Sequence, residues 1–236
     1  MPMAPRERAE FDDELASIAR VLVLQPHDSS GEERAAKALG LACQKGCADV
    51  VRMLSQAPYD LGNKHAIGCR ALSCAVDGDH ADIATILGNA PYNLGHDDAV
   101  ECSALAGACA RASAEMVLVL SQPPYSLGHA EAVEMHALYY ACTNQCAEIA
   151  TILGNAPYNL GHDDAREVVH GTRSMRSSDV IGGPVCDMNV EVRTVLSGAP
   201  YMMRSELEEL YPPFDDRSET QRGARALFRE RKIAPP

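Results

Sequence analysis

A fixed period of 33 residues is the strongest constraint on how this chain folds. The stretch Ile86 to Ala99, ILGNAPYNLGHDDA, recurs almost letter for letter from Ile152 to Ala165, and two looser copies fill the gaps. A period of this size is typical of stacked repeat arrays, so we expect a solenoid and not a single globular core. The prolines of the four copies, spaced by 33 residues, are Pro58, Pro91, Pro124 and Pro157.

Each copy predicts two short helices followed by a turn. The first helix carries a Leu and an Ala three residues later, as at Leu72 and Ala75, which lie on one helix face. The second opens on an acid, as at Asp82, and an acidic first turn complements the helix dipole. The proline then ends the helix, and a glycine four residues later, such as Gly95, permits a turn. Helix, helix and extended turn is therefore the predicted unit of an all-α chain.

A tyrosine follows the proline in every copy, which predicts a repeated structural contact. Tyrosines spaced like the helix-ending prolines are more simply explained by packing than by five separate sites. These residues are Tyr59, Tyr92, Tyr125, Tyr158 and Tyr201.

The unit resembles the ankyrin repeat over about residues 33–165. The family's Thr-Pro-Leu-His tetrapeptide falls on Arg70-Ala71-Leu72-Ser73 and its equivalents, which keep the Leu and replace the Pro by Ala. Leu94 matches the branched apolar residue of the family's hairpin, and Pro91-Tyr92 stands where the family usually has Gly-Ala. The resemblance implies an α-solenoid of stacked helix-turn-helix repeats with projecting turns or β-hairpin fingers. It also implies a concave face, lined by turns and first helices, that binds protein.

Less regular sequence flanks the array on both sides. We expect residues 1–32 to form an N-terminal tail and a capping half repeat, and residues 33–203 to form the repeat array. A fifth copy ends at Pro200, 43 residues after Pro157, so ten residues are inserted. The insertion, near residues 170–186, is rich in Ser, Arg and Gly, and we expect a long disordered loop there. Residues 204–236 predict a C-terminal tail with a basic helix.

Charge favours a protein partner with a basic surface. The chain carries a net charge of −12, although residues 217–236 hold six basic and two acidic side chains. Between Ala71 and Ala165, Arg111 is the one basic residue against twelve Asp and Glu. A nucleic-acid interface needs a stripe of Lys and Arg, so we expect that the chain does not bind nucleic acid. We also expect the protein to be a monomer. The basic tail also raises the possibility that it folds back on the acidic body and blocks it.

Membrane association and secretion are not expected either. No stretch approaches the roughly 18 uninterrupted apolar residues of a membrane span, and the N-terminus lacks the apolar core of a leader. Nine cysteines, an odd number without a C-x-x-C pair, predict buried reduced thiols in a cytoplasmic protein. A nuclear protein, or one delivered into a host cell, stays open.

Two groups of residues are candidates for partner binding. His96, His129 and His162 recur in the turns beside acidic residues; a metal would need converging ligands about 2 Å from the ion, so we favour an interaction surface. Tyr139 is bulky where the other copies have small residues, which predicts an interface anchor or core filling. By the resemblance, His136 and Thr143 lie beside it on the concave face. The full candidate set is His96, Asp97, Asp98, His129, Glu131, His162, Asp163, Asp164, His136, Tyr139 and Thr143.

Catalysis is not expected, since the chain has no P-loop, G-x-G-x-x-G, H-E-x-x-H or G-x-S-x-G motif. The set His170, Ser178 and Asp179 lies in the inserted loop, where nothing orders it. We therefore predict a non-catalytic protein–protein interaction module with an acidic concave surface and no cofactor or metal. Three alternatives stay open: a metal- or redox-responsive thiol/His protein, a host-protein-binding factor of an intracellular microbe, and a piece of a larger enzyme.

Overall fold

The computed structural model describes residues 29–57, 59–170, 188–205 and 207. Contacts divide the chain into two units, Met1–Met203 and Arg204–Pro236, and the helices named below all belong to the first. These residues form helices and turns, without a β-strand among them. Most of the capping half repeat, Pro58, the inserted loop and the basic tail helix fall outside the described residues.

Thirteen helices follow one another in this part of the chain. They are α1 (Ser29–Lys45), α2 (Ala48–Leu54), α3 (Asn63–Gly68), α4 (Ala71–Gly78), α5 (Ala81–Gly88), α6 (His96–Glu101), α7 (Ala104–Ala110), α8 (Ala114–Ser121), α9 (His129–Glu134), α10 (Ala137–Thr143), α11 (Ala147–Gly154), α12 (His162–His170) and α13 (Val190–Ser197).

The helices recur in groups of three, which we name the short, first and second helix of each repeat. Repeats 2, 3 and 4 cover residues 62–94, 95–127 and 128–160, and each contains all three. In repeat 1, residues 29–61, α1 runs through the positions of both the short and the first helix. In repeat 5, residues 161–203, α12 and α13 are the short and second helices.

Equivalent helices contact one another along the chain. The first helices form the series α1, α4, α7 and α10, and the second helices form the series α2, α5, α8, α11 and α13. Within repeats 2 to 4, each first helix also contacts its own short and second helices. This all-helical stack, in which each repeat touches its neighbours, is compatible with an α-solenoid.

The short helix stands where the sequence predicts an extended turn. Asp98, the third residue of α6, accepts a hydrogen bond of 2.8 Å from the backbone N–H of Gly95, which precedes the helix. The same bond joins Gly128 to Glu131 and Gly161 to Asp164, both at 2.8 Å. An acid at this position binds the N–H group that precedes the helix, and its negative charge interacts favourably with the positive end of the helix dipole. It therefore supports a helix of only six residues.

A tyrosine hydrogen bond joins each repeat to the one before it. The hydroxyl of Tyr125 donates to the carbonyl oxygen of Ala84 at 2.7 Å, and the whole side chain is buried. The prediction that these tyrosines pack structurally is confirmed at four of the five positions, while Tyr59 is half-buried. The equivalent bonds run from Tyr92 to Val51, from Tyr158 to Val117 and from Tyr201 to Ala150, at 2.7, 2.9 and 2.6 Å.

Small residues allow neighbouring repeats to approach closely. A Cβ added to Gly88 would lie 2.9 Å from the ring of Pro124, and one added to Gly154 would lie 2.9 Å from that of Pro200. Both distances are shorter than a van der Waals contact. The helix-ending prolines thus also pack against the preceding second helix, where glycine leaves them room.

Candidate partner-binding site

Two histidines of the short helices, His96 and His129, reach towards the next repeat. His96 Nδ1 donates a 3.0 Å hydrogen bond to the carbonyl oxygen of Tyr125, and its Nε2 lies 3.5 Å from Oε1 of Glu131. His129 repeats the second contact, with Nε2 3.4 Å from Oδ2 of Asp164. Four candidate residues are thereby brought together in two pairs that bridge repeats.

Three of the candidate carboxylates also cap helices. Asp98, Glu131 and Asp164 each accept the glycine N–H described above. For Glu131, this hydrogen bond from Gly128 is the main cause that lowers the pKa of the carboxyl. The three acids thus stabilise the starts of the short helices, and the lowered pKa keeps Glu131 negatively charged near neutral pH.

The other short-helix candidates face solvent. Asp97 is exposed on the first turn of α6, and Asp163 is fully exposed at the equivalent position of α12. His162 Nδ1 lies 3.4 Å from Asp163 Oδ1 in the same helix. Of the predicted His-Asp surface, Asp97 and Asp163 are therefore the members most available to a partner.

The remaining candidates belong to α10 and the residue before it. His136 precedes the helix in a left-handed backbone conformation, with φ of 54°, and is half-buried. The ring of Tyr139 is also half-buried and meets the ring of Tyr140 edge to face, with centroids 5.7 Å apart. Thr143 is exposed and donates its hydroxyl to the carbonyl oxygen of Tyr139 at 3.0 Å. This group lies on α10 and the residue before it, directly after the acidic short helix α9 in sequence.

Further exposed acids lie on the short helices and on other elements of repeats 2 to 4. Arg111 forms a 3.0 Å ion pair with Asp77 of the preceding repeat. Glu101 and Glu134 are the last residues of α6 and α9, where a negative charge interacts unfavourably with the helix dipole. Their spacing of 33 residues is the sequence signal that identifies them as candidates. The exposed carboxylates of residues 71–165 that make no salt bridge in the described structure are Asp79, Asp82, Asp97, Glu101, Glu115, Glu134 and Glu148.

Several of the thiols are buried in surroundings that suppress their reactivity. All eight cysteines of the described residues are free. Burial raises the pKa of Cys69 and Cys102 to about 11, and that of Cys109 and Cys142 to about 12. Nowhere in the described ranges do three or more His, Cys, Asp or Glu side chains gather as metal ligands would.

We expect these thiols to react slowly with Ellman's reagent at pH 7. A thiol whose pKa rises from 9.0 to about 11 has roughly a hundredfold less of the reactive thiolate. The measurement compares the rate for the folded protein with that for the same protein in guanidinium chloride. A folded thiol that reacts faster than the unfolded chain would favour the redox alternative.

Among the described helices, none has the length and apolar character needed to cross a membrane.

The candidate site therefore consists of an acidic surface and a group of side chains on and beside α10. Comparison with known proteins found no family model, curated protein or solved structure that matches the chain.

Proposed function

We propose that the chain is a non-catalytic protein-binding module whose acidic surface recognises a partner with a basic surface. We also propose that its stack is an α-solenoid of ankyrin type, in which short and first helices line the concave binding face. The 33-residue period and the contacts between equivalent helices support this assignment. The free thiols are compatible with the cytoplasm as the proposed compartment.

The observation that carries the proposal is the unbalanced charge of repeats 2 to 4. The one basic side chain between residues 71 and 165, Arg111, is already paired with Asp77. Three exposed carboxylates on the short helices of this segment, Asp97, Glu101 and Glu134, make no salt bridge in the described structure. An excess of like charge costs stability, which a basic partner would relieve.

Glu101 and Glu134 support the proposal most directly. Each is exposed on the last turn of a short helix, where the dipole disfavours an acid by about 0.3–1 kcal/mol. Neither forms a salt bridge among the described residues that would offset this cost. A side chain that weakens its own helix at the same position of two repeats is explained by a contact with a partner.

The charge sets the rate of encounter and the choice of partner more than it sets affinity. An exposed ion pair contributes about 0.2–1 kcal/mol, so several pairs give moderate binding that salt weakens. Affinity beyond this level requires a buried apolar anchor. The binding site should therefore combine the acidic rows with at least one place for an apolar side chain.

We expect random peptides displayed on phage, selected on the purified protein, to be enriched in Lys and Arg over Asp and Glu. The selected peptides should bind roughly tenfold or more weakly at about 500 mM than at about 50 mM salt, because screening removes most of the surface attraction. Fluorescence polarisation with synthetic copies of the peptides measures both affinities.

The test variant is Glu101→Gln/Glu134→Gln. The control is Glu115→Gln on the second helix α8, which makes the same Glu-to-Gln change and removes one negative charge away from the short helices. The double variant should bind the peptides about fivefold more weakly, while the control should change affinity less than twofold. Selection of acidic or uncharged peptides, or binding that does not change with salt, would contradict the proposal.

A further inference from the structure

A cleft opens between repeats 2 and 3, beside the acidic short helix α6. Its volume is about 210 Å³, and it is bounded by α3 and the start of α4 on one side and by α6 on the other. Small-molecule sites measure roughly 300–1,000 Å³, so this cleft is of a size for one side chain of a partner. Its floor is apolar, since Ala66, Ala71, Leu72 and Leu94 line it and are all buried.

An apolar residue at the mouth continues this floor towards solvent. Ile67 lines the cleft and has 44% of its surface exposed. Exposing a large aliphatic side chain beside an apolar cavity costs free energy that an apolar ligand group would recover. The interior of the cleft therefore favours an aliphatic side chain.

Two small side chains line the cleft at this junction. Ser73 and Cys102 line it from opposite sides. At the next junction their equivalents are Ala106 and Met135, and at the following one Tyr139 and Val168. At the preceding junction the equivalents are Gly40 and Cys69, and a Cβ added to Gly40 would already lie 3.3 Å from the carbonyl oxygen of Cys69. The space at these positions therefore differs from one junction to the next.

The charged side chains around the cleft are Arg70, Asp98 and Glu101. Asp98 is held by the N–H of Gly95, and Glu101 is exposed without a salt bridge in the described structure. The lining thus carries a net negative charge, to which the neighbouring exposed Asp97 adds. Arg70 is the one group here whose sign is opposite to the rest of the surface.

We infer that the cleft between repeats 2 and 3 takes a single aliphatic side chain of the partner, from a segment in which Lys or Arg residues flank it. The cleft buries the aliphatic group, and Glu101 and Asp98 face the flanking cations. This rests on the proposed function and assigns its anchor point. The cleft supplies the apolar contact that an exposed acidic surface lacks.

The test uses the basic peptides selected on the full-length protein, and it includes two variants that borrow residues from elsewhere in the chain. Ser73→Tyr copies the residue found at the equivalent position 139, and Cys102→Met copies position 135. Either change fills the cleft, and we expect it to weaken peptide binding roughly tenfold to a hundredfold. The control, Ala106→Tyr, places the same bulk at the next junction and should change affinity less than twofold.

Two charge variants test the sign. Glu101→Ala should weaken binding roughly two- to fivefold, and Arg70→Ala should strengthen it about twofold. Thermal melting of each variant identifies any that is misfolded, and Cys102→Met serves if Ser73→Tyr is one of them. We also expect the selected peptides to share one Leu, Ile or Met position between basic residues.

The possible failures are distinguishable. Peptides that bind wild type and the filled-cleft variants equally would overturn the cleft assignment and leave the proposed function standing. Weaker binding in Arg70→Ala would also overturn only the cleft assignment, whereas stronger binding in Glu101→Ala would contradict the proposed function as well. Selection of no peptides would overturn the proposed function and, with it, this inference.

Discussion

Replacing Tyr125 by Ala is expected to destabilise the protein by about 3–5 kcal/mol. The side chain is buried between repeats 2 and 3, and its removal leaves a cavity as large as an aromatic ring. It also removes the donor that satisfies the buried carbonyl oxygen of Ala84. Since domains are stable by only about 5–15 kcal/mol, this is a large part of the total. Urea unfolding, followed by the loss of the helical circular dichroism signal, measures this change in the free energy of unfolding.

The conservative variant separates the ring from the hydroxyl. Tyr125→Phe keeps the ring and should cost about 1–2 kcal/mol, the loss of one buried hydrogen bond. Tyr59→Phe is the matched control, because Tyr59 occupies the same repeat position but is half-buried. It should change stability by less than about 0.5 kcal/mol. Equal losses at the two positions would contradict the role given to the hydroxyl.

Gly78→Ala is expected to cost about 1–3 kcal/mol, even though alanine favours helices. A Cβ at this position would meet the backbone carbonyl oxygen of Gln44 in the preceding repeat. It would also lie 2.5 Å from Cδ2 of His80, whose Nε2 donates to the same oxygen at 3.2 Å. Backbone on one side and a bonded side chain on the other leave little room to adjust.

The chain contains its own control for this substitution. Gly68, the last residue of α3, has no atom within 4 Å of an added Cβ, so Gly68→Ala should be neutral or slightly stabilising. Changing His80 to Ser together with Gly78→Ala should recover part of the loss. The measurement is again the free energy of unfolding in urea, and a loss at Gly68 as large as at Gly78 would refute the steric explanation.

Comparison of equivalent positions in the repeats explains why repeat 2 has a glycine at residue 78 and the later repeats do not. The equivalents of Gly78 are Arg111 and Asn144, and those of His80 are Ser113 and Cys146. Asn144 donates its side-chain amide to the carbonyl oxygen of Cys109 at 3.3 Å, a bond that also crosses to the preceding repeat, although its acceptor lies one repeat position before that of His80. Arg111 likewise pairs with Asp77 of the preceding repeat.

Much of the fold follows from the periodic sequence, although one helix in three was missed. Leu72 with Ala75 and Asp82 with its apolar followers predicted α4 and α5, because a helical face is visible over eight residues. The six residues of α6 are too few to show such a face, and they were read as an extended turn. The overlooked signal was Asp98 three residues after Gly95, which is a capping pattern.

The candidate site was harder to predict because identical residues have different neighbours. His96 and His129 looked alike as exposed tips, and only the stacking of repeats shows that each faces an acid on the next short helix. His162 has the same sequence context as His96, yet lies beside Asp163 of its own helix. The cleft is lined by residues of two different repeats, Ser73 and Cys102 among them, so it becomes visible only when the repeats are stacked.

The tyrosine hydrogen bond has a consequence for how such a chain changes over generations. Each hydroxyl finds its acceptor at the same position of the preceding copy, so loss or gain of a whole 33-residue block leaves every remaining bond with an equivalent acceptor. The copies themselves alternate: Leu-Gly-Asn occurs at residues 87–89 and 153–155, and Leu-Ser-Gln at 54–56 and 120–122. This alternation indicates that the gene lengthened by duplicating two repeats at a time, and that the junction formed by each duplication already fitted.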